Sequence, residues 1–261
     1  MRDTTGPVGV AMRGKALWIT IDRESRRNAL NRAVIEAIAA AIDGAETSRE
    51  ARAIVLTGAG ERAFCAGADL TEGPAVFARS LDEPRTDFGR LARRMRECAI
   101  PSIARINGDC LAGGMGLAAM CDLAIAAPHA RFGLPEAGVG VFPMQVLVFL
   151  RGMIGARAIN ELCLTGAFID AARAREIGLV NEIAEPGALD ARTEALVATL
   201  ATMSPVALRR GKYAIAAMER MHFAEALTFA ETQIAATAMT ADAAEGIIAF
   251  RGKRKPRWSE D

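Results

Sequence analysis

Histidine is nearly missing from this 261-residue chain: only His129 and His222 are present. That scarcity starves any histidine-based metal site or catalytic triad. Cysteine is neither paired nor clustered. Cys65, Cys98, Cys110, Cys121 and Cys163 are odd in number, widely spread and form no C-x-x-C. Neither a disulfide framework nor a zinc site is indicated, and reduced thiols in a cytosolic setting are expected. An excess of one charge is absent too. The 32 basic and 31 acidic residues leave a formal net charge of +1, without the basic footprint that nucleic-acid binding requires. No apolar run approaches the roughly 20 residues of a membrane span, and the polar stretch Met1 to Pro7 carries no export signal. The expectation is a cytoplasmic protein that binds neither nucleic acid nor membrane.

What is there is enough for a large core. Hydrophobic residues make up 51% and charged residues 24%, ordinary values for a globular protein of one large or two small domains. The organising stretch runs from Ile100 to Val141. Pro101 and the apolar run Ile103 to Ile106 read as a buried strand. The loop Asn107 to Gly116 follows, with glycines at 108, 113, 114 and 116, and then Leu117 to Met120, which suits a helix. A strand, a glycine-rich turn and a helix start leave backbone N–H groups free at the helix N-terminus. Glycine lets a ligand approach that backbone without a Cβ in the way. Such a turn can hold a phosphate or a thioester enolate oxygen, or it can be a tight packing turn.

A second stretch has the same form. Ala53 to Thr57 is a buried strand by composition, and Gly58-Ala59-Gly60 leads to the small-residue turn Phe64 to Leu70. Two such turns can each supply one N–H to a single oxygen, which is what an oxyanion hole needs.

In order along the chain, Val8 to Met12 and Ala16 to Ile21 flank Gly14-Lys15 as a hairpin. Asn31 opens a helix over Arg32 to Ile42. Thr71 to Arg85 contains proline and lacks periodicity, so it reads as a loop over a site or on the surface. Phe88 to Cys98 is a basic helix with a solvated face. Asp122 to Ala126 is a strand, Arg131 to Gly133 a short extended piece, and 154–164 and 170–177 are helices, the second capped by Asp170 and ended by Gly178. Strands alternating with helices predict an α/β fold of stacked strand–strand–helix units with a mostly parallel core. Pro186-Gly187 turns the chain from a core over residues 1–187 into a helical region over 188–261, with helices near 189–203, 205–220 and 224–239. Those helices are rich in Ala, Leu and Met and need covering, which points to a homo-oligomer.

The chain resembles the enoyl-CoA hydratase/isomerase, or crotonase, family. The likeness rests on Asp22-Arg23 with Arg27-Asn28-Ala29-Leu30-Asn31, on Phe64 to Leu70, and on the Asn107 to Gly116 loop. It continues through Cys121 to Ala126, Phe132-Gly133-Leu134-Pro135-Glu136, Leu164-Thr165-Gly166, Ala174 to Val180, Glu245-Gly246, Ala249-Phe250 and Lys253-Arg254-Lys255. Each motif is weak alone; their order and spacing over nearly the whole chain are specific. The resemblance implies a crotonase (Clp protease-like) spiral with a C-terminal helical oligomerisation region, assembled as a trimer or a hexamer made of two trimers. It implies a coenzyme A thioester as substrate and no tightly bound cofactor or metal. It assigns an oxyanion hole to the N–H groups of Ala68 and Gly113 and acid/base work to Glu136. It also implies coenzyme A contacts at Arg26, Arg27, Ala66, Asp69, Leu70, Phe250 and Lys253. Phe142, Met144 and Phe149 read equally as acyl-pocket lining or as core.

Three departures from the hydratase pattern bear on the reaction. Hydratases of this family carry two glutamates, and the first falls here on Gly116, in the acyl pocket. Water addition needs one group to activate water and one to protonate C2, whereas double-bond migration needs one carboxylate that takes a proton at C2 and returns it at C4. Isomerisation is favoured on that ground. Hydration with Asp69, Glu72 or Asp109 as a substitute acid, or a non-catalytic acyl-CoA-binding role, are the alternatives. The segment after Glu136 reads Gly140 to Leu147 where glycine-rich sequence is usual, and Arg26 or Arg27 stands where a lysine near the coenzyme phosphates is common. A Clp-type serine protease is discounted, since no glycine-flanked serine is placed to use either histidine.

Overall fold

The computed structural model describes residues 6–77, 82 and 84–259, with Glu72, Pro74 and Ala75 described by their backbone alone. Parts of the predicted loop 71–85, and the Glu72 side chain proposed as a substitute acid, therefore lie outside the described residues.

Strands β1 (Val8–Arg13) and β2 (Ala16–Ile21) form the expected antiparallel hairpin, with Arg13 opposite Ala16. Gly14 takes φ +58° in its two-residue turn, a conformation glycine adopts without a Cβ penalty. Helix α1 (Arg32–Ser48) starts where Asn31 accepts the Val34 N–H at 3.0 Å. Its apolar face buries Val34, Ile35, Ile38, Ile42 and Ala45, the spacing of a helix that faces the core along one stripe.

Three strand–strand–helix units follow. The first is β3 (Ala53–Gly58), β4 (Ala63–Cys65) and α2 (Asp87–Glu97). The second is β5 (Ser102–Ile106), β6 (Asp109–Leu111) and α3 (Gly113–Met120). The third is β7 (Leu123–Ala126), β8 (Arg131–Gly133), a 3₁₀ turn over Pro135–Val139, and α4 (Met144–Leu150). The first strand of each unit enters a six-stranded sheet of order β1-β2-β3-β5-β7-β10, parallel except at β1. The second strand enters a four-stranded sheet of order β4-β6-β8-β9, parallel except at β9. Between β8 and β10 come α5 (Ala156–Thr165), β9 (Phe168–Asp170) and α6 (Ala171–Glu176), and β10 is Glu182–Ile183. The predicted α/β spiral of strand–strand–helix units is thus the observed fold.

The large sheet is buried on both faces, as parallel sheets are. Along β2, Leu17, Ile19 and Ile21 point into the main core under α1, while Ala16 and Trp18 point the other way. That second face is covered by α7 (Leu189–Ala201), whose Val197 packs with Trp18, Val55 and Ile103. Beyond α7, the chain continues as α8 (Pro205–Met218), α9 (Phe223–Ala238) and α10 (Ala241–Arg251). Helices α8 and α9 contain no buried residue within the single chain. Helix α8 is tied to the core by polar contacts: Lys212 reaches Asp122 at 2.6 Å and the Ile100 carbonyl at 2.9 Å, and Arg96 pairs with Glu219 at its C-terminal end. Buried Asp242 of α10 accepts from Ser204 and from the N–H and hydroxyl of Ser259, clasping the end of the chain to α8.

Candidate active site

The two small-residue turns lie against each other. Ala66 donates its N–H to the Arg27 carbonyl at 3.1 Å, Leu30 donates to Gly67 O at 2.7 Å, and Asp69 donates to Leu30 O at 2.7 Å. This alternation leaves the Ala68 N–H over. On the other turn, Ala112 donates to Gly133 O at 2.9 Å, and α3 then opens at Gly113 without a side-chain cap. Among the described residues, neither the Ala68 nor the Gly113 N–H has a protein acceptor.

Close approach explains the residue types. A Cβ on Gly67, which sits at φ +93°, would lie 2.6 Å from the Ala112 Cβ and 3.1 Å from the Gly113 nitrogen. One on Gly114 would lie 2.1 Å from the Cys65 carbonyl oxygen. At Gly113 itself the Cβ position is only 3.8 Å from the Ala68 nitrogen, so the two unsatisfied amides are neighbours. Ala112 between them is held at φ 51°, ψ −124°, a sparsely populated conformation of the kind that clusters at functional sites.

The loop before the first turn is fixed by Asn28, which is fully buried at φ 55°. Its amide donates to Ala59 O at 3.0 Å and Ala63 O at 2.7 Å, and its side-chain oxygen accepts the Arg23 N–H at 3.1 Å. Arg23 in turn pairs with Asp69 at 2.7 Å and donates to Ala29 O at 2.7 Å. The Thr71 hydroxyl and the Arg23 guanidinium bond the Asp69 carboxylate and hold its pKa down to about 2. Asp109 is likewise engaged, accepting Nε and Nη2 of Arg131 at 2.9 and 2.7 Å. Of the three candidate substitute acids, Asp69 and Asp109 are therefore engaged by arginines.

Because the folded pKa of Asp69 is depressed, its contribution to stability is present above the ordinary carboxylate range and is lost as pH falls toward 2. We expect Asp69→Asn to cost about 1–2 kcal/mol at pH 7, with the deficit shrinking on acidification. Denaturant titrations at stepped pH check this, and a pH-independent deficit would contradict it.

Glu136 differs from both. The β8–β6 pairing brings Pro135-Glu136 beside the start of α3, since Leu111 and Gly133 are register partners. The side chain is half-buried, and its Oε2 is the one buried side-chain polar atom without a hydrogen-bond partner among the described residues. Desolvation raises its pKa, against a smaller lowering from its own backbone N–H.

Gly116 lies one turn beyond Gly113 on α3, under an apolar roof. A Cβ there would meet Phe88 Cζ at 2.7 Å and Val146 Cγ2 at 3.1 Å. Neither residue was picked out as part of the site by sequence, although Phe88 opens a predicted helix. Phe142 and Phe149 are half-buried and pack on the main core, whereas Met144 is 67% exposed on α4. The proposed coenzyme contacts divide: Ala66 and Asp69 are built into the first turn, Arg26, Arg27 and Leu70 are exposed beside it, and Phe250 (86% exposed) and Lys253 stand out at the end of α10. Cavities of about 630 and 790 Å³ lie elsewhere, lined respectively by Arg49, Pro101 and Arg209 and by Arg96, Lys212 and Arg220. They include neither turn, and we assign the chemistry to the turns because the unsatisfied groups are there. No group of three or more metal-ligating side chains occurs among the described residues, and none of the described helices is long and apolar enough to cross a membrane.

Known proteins resemble this chain over nearly its whole length. The enoyl-CoA hydratase/isomerase family model matches residues 13–261. The short-chain-enoyl-CoA hydratase of Clostridium acetobutylicum is 34% identical over 251 residues, 93% of each chain. The 2,3-dehydroadipyl-CoA hydratase of Escherichia coli (strain K12) is 32% identical over 252 residues, 95% of this chain and 96% of its own. A crystal structure of an enoyl-CoA hydratase from Mycobacterium smegmatis superimposes with a TM-score of 0.89 at 33% identity, covering 97% of this chain and 98% of that one.

Proposed function

The chain belongs to the enoyl-CoA hydratase/isomerase family, and we propose that it moves the double bond of an enoyl-CoA thioester with Glu136 as the only proton carrier. The observation that carries this is the state of the acids: among the described residues only Glu136 has a buried carboxylate oxygen without a hydrogen-bond partner, while Asp69 and Asp109 are committed to Arg23 and Arg131. In this reading, the thioester oxygen of a 3-enoyl substrate accepts the N–H groups of Ala68 and Gly113. The Glu136 carboxylate takes a proton from C2, and the electron pair delocalises into a dienolate whose charge rests on that oxygen. The same carboxyl group returns the proton at C4, leaving the double bond between C2 and C3. Donors that are already in place and unpaired cost no reorganisation as the negative charge grows.

Coenzyme A is substrate here, held by the backbone of the first turn, by the Arg26 and Arg27 cations, and by Phe250 and Lys253. The apolar residues left bare on the C-terminal helices, Phe223 at 82%, Met239 at 88% and Ile234 at 68% exposed, favour an oligomer, which we take to be a homotrimer or a pair of trimers. Sedimentation equilibrium at micromolar concentration tests that, and a monomer would contradict it.

Hydration is the second reading, favoured by the names of the relatives, which are hydratases. Initial rates on a 3-enoyl-CoA and a 2-enoyl-CoA separate the two. Migration on the first with little 3-hydroxyacyl product from the second supports the one-carboxylate site; rapid hydration of the second overturns it. The base must be ionised to act, so kcat/KM should fall as pH falls through a midpoint above the ordinary carboxylate range, in keeping with the raised pKa of Glu136. A pH–rate profile with its acid limb near pH 4 would contradict this.

A further inference from the structure

We propose that Phe88 is the specificity-determining residue of this site: with Val146 its ring takes the volume over Gly116 that a second proton-transferring side chain, or an attacking water, would need. The inference rests on the double-bond-migration reading above. Gly116 and Gly113 are three residues apart on α3 and so share one helix face. A side chain at 116 would project beside a thioester whose oxygen sits at the Gly113 N–H. That direction is closed. The Cβ position lies 2.7 Å from Phe88 Cζ, 3.4 Å from Cε1 and 3.1 Å from Val146 Cγ2.

The ring is held in place. Phe88 packs on the main core. Its turn of α2 is capped by Thr86, whose hydroxyl accepts the Gly89 N–H at 3.0 Å and also the side-chain amide of Gln145 on α4. Gln145 precedes Val146, so one hydrogen bond clamps together the two elements that supply the roof. A water seated at that Cβ position would have a phenyl edge and an isopropyl group as its nearest neighbours, where an ordered water requires two to four polar partners. The dienolate is thereby kept from water on this side, which leaves its proton to Glu136 among the described residues. Glycine at 116 and phenylalanine at 88 form one device: the missing acid and the excluded water are the same volume.

The test uses four full-length proteins: wild type, Phe88→Ala, Gly116→Glu and the double variant. Each is measured for thermal stability, for binding of a saturated acyl-CoA, and for 3-hydroxyacyl-CoA formation from a 2-enoyl-CoA. Gly116→Glu alone is expected to lower Tm and gain no hydration, because its stem meets the ring. Adding Phe88→Ala should restore Tm relative to Gly116→Glu and raise hydration at least about tenfold above either single variant. Gly116→Glu hydrating as fast as the double variant would overturn the proposal, as would a stable, ligand-binding double variant that hydrates no faster than wild type. Failure of all four to bind the saturated acyl-CoA would overturn the migration reading and this proposal with it. Retained binding with unchanged hydration overturns the role of Phe88 alone. Should the double variant not fold, Phe88→Leu decides: a several-fold rise in the ratio of hydrated to migrated product supports the proposal, and an unchanged ratio overturns it.

Discussion

Glu136→Gln should lose about 10²–10⁴-fold in kcat for double-bond migration, the range a positioned acid/base supplies, with acyl-CoA affinity kept within a few-fold. The same substitution should raise thermal stability at neutral pH. Glu136 Oε2 is buried without a partner, and an ionised oxygen left so costs more than a neutral amide does. The sign follows from its raised pKa. The folded state holds the proton more tightly than the unfolded chain does, so the wild type loses stability as pH rises through the carboxylate range. The glutamine variant has no such loss, and its advantage should therefore grow with pH and vanish in acid. Steady-state kinetics on a 3-enoyl-CoA, calorimetric binding and thermal melts at stepped pH check the three parts. A variant that is both inactive and less stable at pH 7 would mark Glu136 as a structural residue.

Gly67→Ala is expected to damage both stability and catalysis. Its Cβ would stand 2.6 Å from the Ala112 Cβ and 3.1 Å from the Gly113 nitrogen, on a backbone at φ +93°. Both the strain and the overpacking are destabilising, together about 2–4 kcal/mol. Relief requires the two turns to part, which moves the Gly113 N–H away from the Ala68 N–H. Loss of one such donor costs about 10²–10³ in kcat. Gly44→Ala provides the control: that glycine lies exposed in α1 with nothing within 4 Å of the added carbon, and alanine there should add about 0.5–1 kcal/mol. Urea titrations and kcat for the two variants check the contrast; equal, small effects would contradict the packed-turn account of the site.

Much of this was legible in the sequence because local chemistry dictates it. Gly14-Lys15 between two β-prone runs makes a hairpin with one register, and Asn31 before an apolar-periodic run starts a helix. The paired small-residue turns, Phe64 to Leu70 and Asn107 to Gly116, announce close backbone approach wherever they fold. What stayed hidden depends on contacts distant in sequence. The second strands β4 and β6 have three residues each, too few to show alternation, and exist because a parallel neighbour pairs with them. Helix α4, Met144–Leu150, reads as an apolar run of undetermined kind. Helix α10, Ala241–Arg251, is hidden by motif residues that draw attention one at a time. Phe88 looks like an ordinary apolar residue at a helix start; only the fold sets its ring over a glycine 28 positions later. Asp69 and Asp109 look like spare acids until their arginines are seen.

A single turnover of a 3-enoyl-CoA in D₂O, quenched early and analysed for product identity and for label at C4, tests the one-carboxylate site most directly. One half-buried carboxyl group carrying the proton predicts a 2-enoyl-CoA that retains part of the original C2 hydrogen at C4, with no 3-hydroxyacyl-CoA. A 3-hydroxyacyl product, or migration at an unchanged rate in Glu136→Gln, would contradict it.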